Sequence, residues 1–244
     1  MFRIIFVIPA YNESNLIKDF ITELDNSFRD VTPEFIVIND ASTDNTAQAI
    51  QEIKKEISVH LITNTHNLGH GQSLLKGLNL AVTQKPEVII SVDGDGHFRS
   101  IDIRHAYDVF INSFEKIDIL EGVRQYRVEP SYRRYVSMIT KLLVWIRCKK
   151  FPSDANTPLR IFKTESISKI LLAVPKKTVI PNLHISSLSR IFNMKITEFP
   201  ISWVNRKGVL KSGTSWGPER TFFPPKRFVV FCLDAFTEWV KPKR

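Results

Sequence analysis

The stretch Val88 to His97 reads VIISVDGDGH. An apolar run ends in two aspartates, two glycines and a histidine. The run is short, rich in β-branched residues and flanked by turn formers, which is how a strand buried on both faces reads. The two carboxylates that follow repel each other. They must lie open to water or close around something positive.

The preceding residues repeat the theme. Phe2 to Ile8, Glu34 to Ile38 and Val59 to Thr63 read as strands. Between them, Asn15 to Phe28, Thr43 to Glu56 and Gly71 to Val82 carry apolar residues at helical spacing. Ser42 or Thr43 is the expected cap of the second helix. This alternation predicts an α/β chain, with a mostly parallel sheet covered by helices on both faces. In such sheets ligands bind beyond the carboxyl ends of the strands. The polar clusters PAYNE, NDASTDNT, NTHNLGHG and DGDGH follow the four strands in turn. They are expected to converge on one rim and form one site.

The second half reads differently. Helices are expected over Ile101 to Phe114, Tyr132 to Arg147, Ser166 to Leu172 and Leu183 to Asn193. Strands are expected over Asp118 to Val123, Leu159 to Lys163 and Lys195 to Val204. A Pro-rich tail follows, with an apolar run from Phe228 to Leu233 and a basic end. No linker separates independent domains. The expected organisation is one catalytic domain over 1–215, with a nucleotide-binding half (1–98), an acceptor half (99–215) and a basic, aromatic tail (216–244).

Charge divides the chain the same way. Residues 1–120 carry 10 Lys/Arg against 17 Asp/Glu, and residues 121–244 carry 24 against 8. A basic second half favours an anionic partner such as lipid phosphate, a membrane surface or nucleic acid. No run of about 18 apolar residues is present, the length a spanning helix needs. No signal peptide is read at the start, and Cys148 and Cys232 fit no metal or redox spacing. A reduced, cytoplasmic setting is expected.

The rim residues suggest chemistry of their own. Asp93 and Asp95 at the end of a strand suit a hard divalent cation, Mg²⁺ or Mn²⁺, with His97 as a third donor. The Asn67–Gly71 loop leads into a helix and offers an anion site, without a dinucleotide or P-loop pattern. Asp40 either supports a helix start or accepts hydrogen bonds from a base or ribose. Arg124, Arg133 and Arg134 belong to a run of eight cations and one acid between Arg124 and Lys150. Their guanidinium forks match phosphate oxygens. Asp154 is either ion-paired among these cations or a general base. The loop Arg206 to Gly213 is either a surface turn or a cover over a pyrophosphate.

PAYNE, NDASTDNT, NLGHG and DGDGH at these intervals resemble the family 2 glycosyltransferases of the GT-A fold. The branch most similar contains the dolichyl-phosphate mannose synthases and bacterial polyprenyl-phosphate sugar transferases. The resemblance runs over about residues 1–215 and is most specific in the first hundred. It implies that Pro9, Ala10, Tyr11, Glu13, Asp40, Gly69, His70, Asp93, Asp95, Arg206 and Ser212 bind a nucleotide diphosphate sugar. It implies a metal on Asp93 and Asp95, with His97 where the branch often has glutamine. It sets Arg124 and Arg160 on the acceptor side; Arg133 and Arg134, from the basic run, are expected to orient the acceptor phosphate with Arg124. His70 departs from a frequent lysine, and the Arg206 loop is a loose match.

Three functions are therefore expected in descending order. The first is an inverting transfer of sugar to a polyprenyl phosphate at the cytoplasmic face of a membrane, with Asp95, Arg124 and Asp154 in the catalytic set. The helix Tyr132 to Arg147 and the tail would rest on the membrane surface, with or without a membrane-anchoring partner protein. The second is transfer to a sugar hydroxyl, for which Asp154 is the candidate base. The third is a non-catalytic nucleotide-sugar or nucleic-acid binding module. Nucleic acid is disfavoured as a partner because the acidic rim repels phosphate.

Overall fold

A computed structural model describes residues 2–125, 131–202 and 226–240 of the 244-residue chain. Its elements are β1 (Ile4–Ala10), α1 (Ile17–Ser27), β2 (Glu34–Asn39), α2 (Thr46–Ile53), β3 (Val59–Thr63), α3 (His70–Thr83), β4 (Val88–Ser91) and α4 (Ser100–Asn112), followed by β5 (Ile119–Gln125), α5 (Ser131–Cys148), β6 (Arg160–Lys163), α6 (Thr164–Ala173), α7 (Pro181–Ile191), β7 (Ile196–Ser202) and α8 (Lys226–Val240).

The seven strands form one sheet in the order β3-β2-β1-β4-β6-β5-β7. β1 pairs parallel with β2 and β4, and β2 with β3. β6 lies antiparallel to both β4 and β5, while β7 returns parallel to β5. The expected mostly parallel sheet is therefore present, with β6 as its one reversed strand.

Alternation along β1 shows why the strands had to be apolar throughout. Ile4, Phe6 and Ile8 pack on one face with α1 and α4, through Phe20, Ile21, Leu24, Tyr107 and Phe110. Ile5 and Val7 pack on the other face with Leu74, Leu75 and Leu78 of α3, Ile167 of α6 and Ile185 of α7. Successive side chains of a strand point to opposite faces, so a two-faced core needs both parities filled. Gly77 lets α3 press close to β1, since a Cβ there would lie 2.5 Å from Val7 Cγ1.

Two expectations need correction. The second helix begins at Thr46 rather than Thr43. Ser42 and Thr43 serve the loop instead: Ser42 N–H donates to Asn39 Oδ1 at 3.1 Å, and Thr43 N–H donates to Asn12 Oδ1 at 2.8 Å. Asp44 supports the helix start, accepting from Thr46 N–H at 3.0 Å. The chain end also holds more structure than an apolar run. α8 docks through Trp239, buried with Val144 of α5, Ala155, and Ile180 and Leu183 at the start of α7. Glu238 fastens it by accepting from Val179 N–H and pairing with His184 Nε2, both at 2.9 Å.

Candidate active site

β1 to β4 run in one direction, so their polar endings meet at one edge. Pro9, Ala10, Tyr11, Glu13, Asp40, Gly69, His70, Asp93, Asp95, His97 and Arg124 all line a single cavity of about 920 Å³. The same cavity continues between two helices. Ile139 and Leu143 of α5 form one wall there, and Val229, Leu233 and Phe236 of α8 the other. One end is acidic and polar, the other apolar, and Arg124 lines the cavity with both.

Asp40 is buried beneath the glycine loop. Its Oδ1 accepts from Asn64 Nδ2 and Leu68 N–H, and its Oδ2 from Gly69 N–H, each at 2.8 Å. Lys76 Nζ in turn holds Asn64 Oδ1 at 2.7 Å. Asp40 thus lines the cavity while clamping the loop ahead of α3. Gly69 makes the turn into α3 with φ at +86°, a value side chains resist.

His70, the first residue of α3, reaches Asp93 with Nε2 to Oδ1 at 2.7 Å. Desolvation in the cleft would lower the His70 pKa, but the Asp93 charge and hydrogen bond, with Asp95 and Asp40 behind them, hold it above the ordinary value. Asp93 responds in the opposite sense. Desolvation raises its pKa, and the opposing pull of His70, Arg124 and His97 leaves it below the usual carboxylate range.

Asp95 and His97 face each other, Oδ2 to Nε2 at 3.6 Å. Asp93 is turned toward His70, so the three expected metal donors do not converge. Among the described residues no three His, Cys, Asp or Glu side chains gather to hold an ion by themselves. A carboxylate oxygen and an imidazole nitrogen at this separation still suit a divalent cation that completes its shell with water and substrate phosphate, the ordinary habit of Mg²⁺.

Arg124 stands near the end of β5. Its Nε donates to Asp154 Oδ2 at 2.7 Å, and its Nη2 donates to Asp154 Oδ1 at 3.0 Å and to the Asn156 carbonyl at 3.2 Å. Asp154 lies behind the guanidinium and does not line the cavity. The ion pair, one of its two expected roles, is present.

Arg160 departs from expectation. It is 0% exposed, and its guanidinium is bound by protein groups. Its Nε donates to Glu121 Oε1 at 3.2 Å, Nη1 to Asn182 Oδ1 at 2.6 Å and Nη2 to the Ala155 carbonyl at 3.2 Å. Arg190 Nη2 meets the other oxygen of Glu121 at 2.8 Å. Burial pushes the Arg160 pKa down, against the pull of Glu121. Arg134 is exposed on α5 and is not among the cavity-lining residues. Arg206, Ser212 and the side chain of Arg133 lie outside what the structure describes.

Several lining residues escaped the sequence reading, among them Val179 and Ile180 ahead of α7, Pro181 at its first position, and the face of α8 that meets the cavity. The spacing Phe231, Ala235, Trp239 was the available signal for α8. On α5, Tyr135, Met138, Leu142 and Ile146 are exposed outside the cavity lining, as is Val230 of α8, while Ile139, Leu233 and Phe236 are exposed within it. Among the described residues no helix is long and apolar enough to cross a membrane.

This sheet, its reversed strand and the acidic rim at the carboxyl ends of the parallel strands define a GT-A glycosyltransferase. Residues 5–171 match glycosyl transferase family 2, and the chain belongs to that family. An uncharacterised protein of Methanocaldococcus jannaschii is 31% identical over 170 residues, covering 66% of this chain and 72% of its own. An undecaprenyl-phosphate 4-deoxy-4-formamido-L-arabinose transferase of Salmonella choleraesuis is 25% identical over 209 residues, 84% of this chain. The chain spans 61% of the length of that relative. Among solved structures, the mannosyltransferase PcManGT of Pyrobaculum calidifontis, in complex with GDP-Man and Mn²⁺, is similar in fold with a TM-score of 0.63 at 17% identity, covering 99% of this chain and 65% of that one. A glucosyl-3-phosphoglycerate synthase of Mycobacterium tuberculosis, with Mn²⁺, UDP and phosphoglyceric acid, gives 0.65 at 14% identity, covering 99% of this chain and 80% of that one.

Proposed function

We propose that this glycosyltransferase moves a sugar from a nucleotide diphosphate sugar to a polyprenyl phosphate, working as a peripheral protein on the cytoplasmic face of a membrane. The observation that carries the reading is the two-ended cavity: an acidic rim and glycine loop at one end, an apolar trough between α5 and α8 at the other, and Arg124 among the lining. An acceptor with an anionic head and a long apolar tail matches that sequence of surfaces. The named function of the Salmonella relative supports the same acceptor class. The apolar side chains that α5 exposes outside the cavity, Tyr135, Met138, Leu142 and Ile146, with Lys141 and Lys149 near them in sequence, support contact with an anionic lipid surface.

In this reading the donor diphosphate lies against Gly69, His70 and the start of α3, where helix N–H groups favour anions. Asp95 and His97, with Asp93 close by, would hold a Mg²⁺ or Mn²⁺ ion, which when bound would supply charge neutralisation for the leaving diphosphate. Arg124 presents the acceptor phosphate. Its oxygen attacks the anomeric carbon, forming the new C–O bond as the bond to the diphosphate breaks. The electron pair leaves with the nucleoside diphosphate. The attacking oxygen is already anionic, so no base is required. A hydroxyl acceptor would require one; Asp154 is ion-paired with Arg124 through both oxygens, which favours the phosphate acceptor.

The test is product formation by purified protein with Mn²⁺, a panel of nucleotide diphosphate sugars, and farnesyl phosphate or farnesol in detergent. Mass spectrometry should find a glycosyl phosphodiester from the phosphate alone. Transfer to farnesol or free sugars, and none to the phosphate, would overturn the acceptor assignment.

A further inference from the structure

We infer that Asp154 is a positioning residue whose task is to hold the Arg124 guanidinium toward the acceptor phosphate, and that it does not act as a base. The inference rests on the acceptor reading above. Its geometric support is independent of that reading.

An arginine side chain carries about 2 kcal/mol of rotamer entropy. At the end of an edge-proximal strand it would sweep a wide arc. Here the fork is fixed by three hydrogen bonds, two to the Asp154 carboxylate and one to the Asn156 carbonyl. The side chains of Arg124 and Asp154 are only 11% and 8% exposed, so solvent competes weakly for either partner. Arg124 lines the cavity, and Asp154 sits behind it.

Asp154 is fixed in turn. The next residue, Ala155, gives its carbonyl to Arg160 Nη2 at 3.2 Å, and Arg160 is seated on Glu121 and Asn182. Arg160, expected to touch the acceptor, instead anchors the segment that aims Arg124. The line of support runs from Glu121 through Arg160 and the 154–156 segment to the cavity.

The test measures binding of farnesyl phosphate and farnesol to the full chain in detergent, with the wild type and Asp154→Asn, Asp154→Glu and Arg124→Gln variants. The wild type should prefer the phosphate at least tenfold. Asp154→Asn should lose most of that preference, leave farnesol affinity within about twofold, and keep its stabilisation by nucleotide diphosphate with Mn²⁺. With a productive donor, its KM for farnesyl phosphate should rise more than its kcat falls. Asp154→Glu, which keeps the charge at a shifted distance, should restore part of the preference, between the wild type and Arg124→Gln.

A full wild-type preference in Asp154→Asn would overturn the inference. So would a kcat loss of a thousandfold or more with the preference intact, the mark of a base. If Asp154→Asn does not fold, Asp154→Glu decides alone, and a preference equal to the wild type's overturns the inference. A wild type that prefers farnesol or binds neither ligand fails earlier, at the acceptor reading itself.

Discussion

His70 and Asp93 stand 23 residues apart in sequence and meet across the rim, Nε2 to Oδ1 at 2.7 Å. The first residue of α3 thereby closes on the residue just beyond β4. The imidazole faces the carboxylates that the sequence placed so close together. Part of what answers their repulsion is therefore built into the chain.

Replacing His70 with Ala should expose that repulsion. The pair is partly open to solvent, so the cost should be no more than about 1 kcal/mol. Thermal unfolding should show a slightly lower midpoint without metal. The rise produced by Mn²⁺ should be larger than in the wild type, since the ion then neutralises more. An Mn²⁺ response unchanged from the wild type would mean the ion does not sense Asp93.

Gly71→Ala should disturb the donor end through backbone contact. A Cβ there would come within 2.7 Å of the Val179 carbonyl oxygen and 2.8 Å of Pro181 Cδ. Overpacking of this kind costs about 1–3 kcal/mol, against about 1 kcal/mol regained in helix propensity. Val179 and Pro181 also line the cavity, so the stabilisation given by nucleotide diphosphates should shrink along with the unfolding midpoint. A calorimetric titration of nucleotide binding checks this directly.

Glu121→Gln should be among the most damaging single changes. It removes the carboxylate shared by Arg160 and Arg190, at 3.2 and 2.8 Å, leaving Arg160 without that counter-charge and Arg190 with Glu198 at 3.5 Å. Breaking a buried pair costs about 3–5 kcal/mol. Urea unfolding should show the loss, with Asp154→Asn losing less.

Stability should fall in acid. Arg104 depresses Asp30, Arg3 depresses Glu34, and in Asp44 desolvation is outweighed by hydrogen bonds from Thr46 and Ser14. Each group binds its proton more weakly folded than unfolded. Their contribution is therefore complete above the ordinary values of 3.8 for Asp and 4.5 for Glu, and drains away as pH falls through the depressed ones. Urea midpoints between pH 5 and pH 3 should drop, and Arg104→Gln should flatten part of the decline.

The first hundred residues were legible because each strand there is apolar at both parities and each ending is polar. Periodicity alone placed β1 to β4 and the rim. Asp40 and Asp154 were harder. Their residue types allowed a role toward ligand or toward protein, and only the third dimension shows Leu68, Gly69 and Arg124 as the partners. Arg160 misled because a buried arginine and an anion-binding arginine look alike in sequence. α8 was read short, since its helical stripe begins inside a Pro-rich, basic stretch whose composition argues for a loop.

The reversed strand β6 has a consequence for synthesis. It slots between β4 and β5 and pairs with both. A chain emerging from the ribosome at roughly 5–20 residues per second has made β4 and β5 several seconds before the strand that joins them. Until Lys163 emerges, two apolar edges wait unpaired, the form of strand most prone to join another chain. Fragments that stop between β5 and β6 should therefore aggregate where the full chain stays in solution, which light scattering of the two would show.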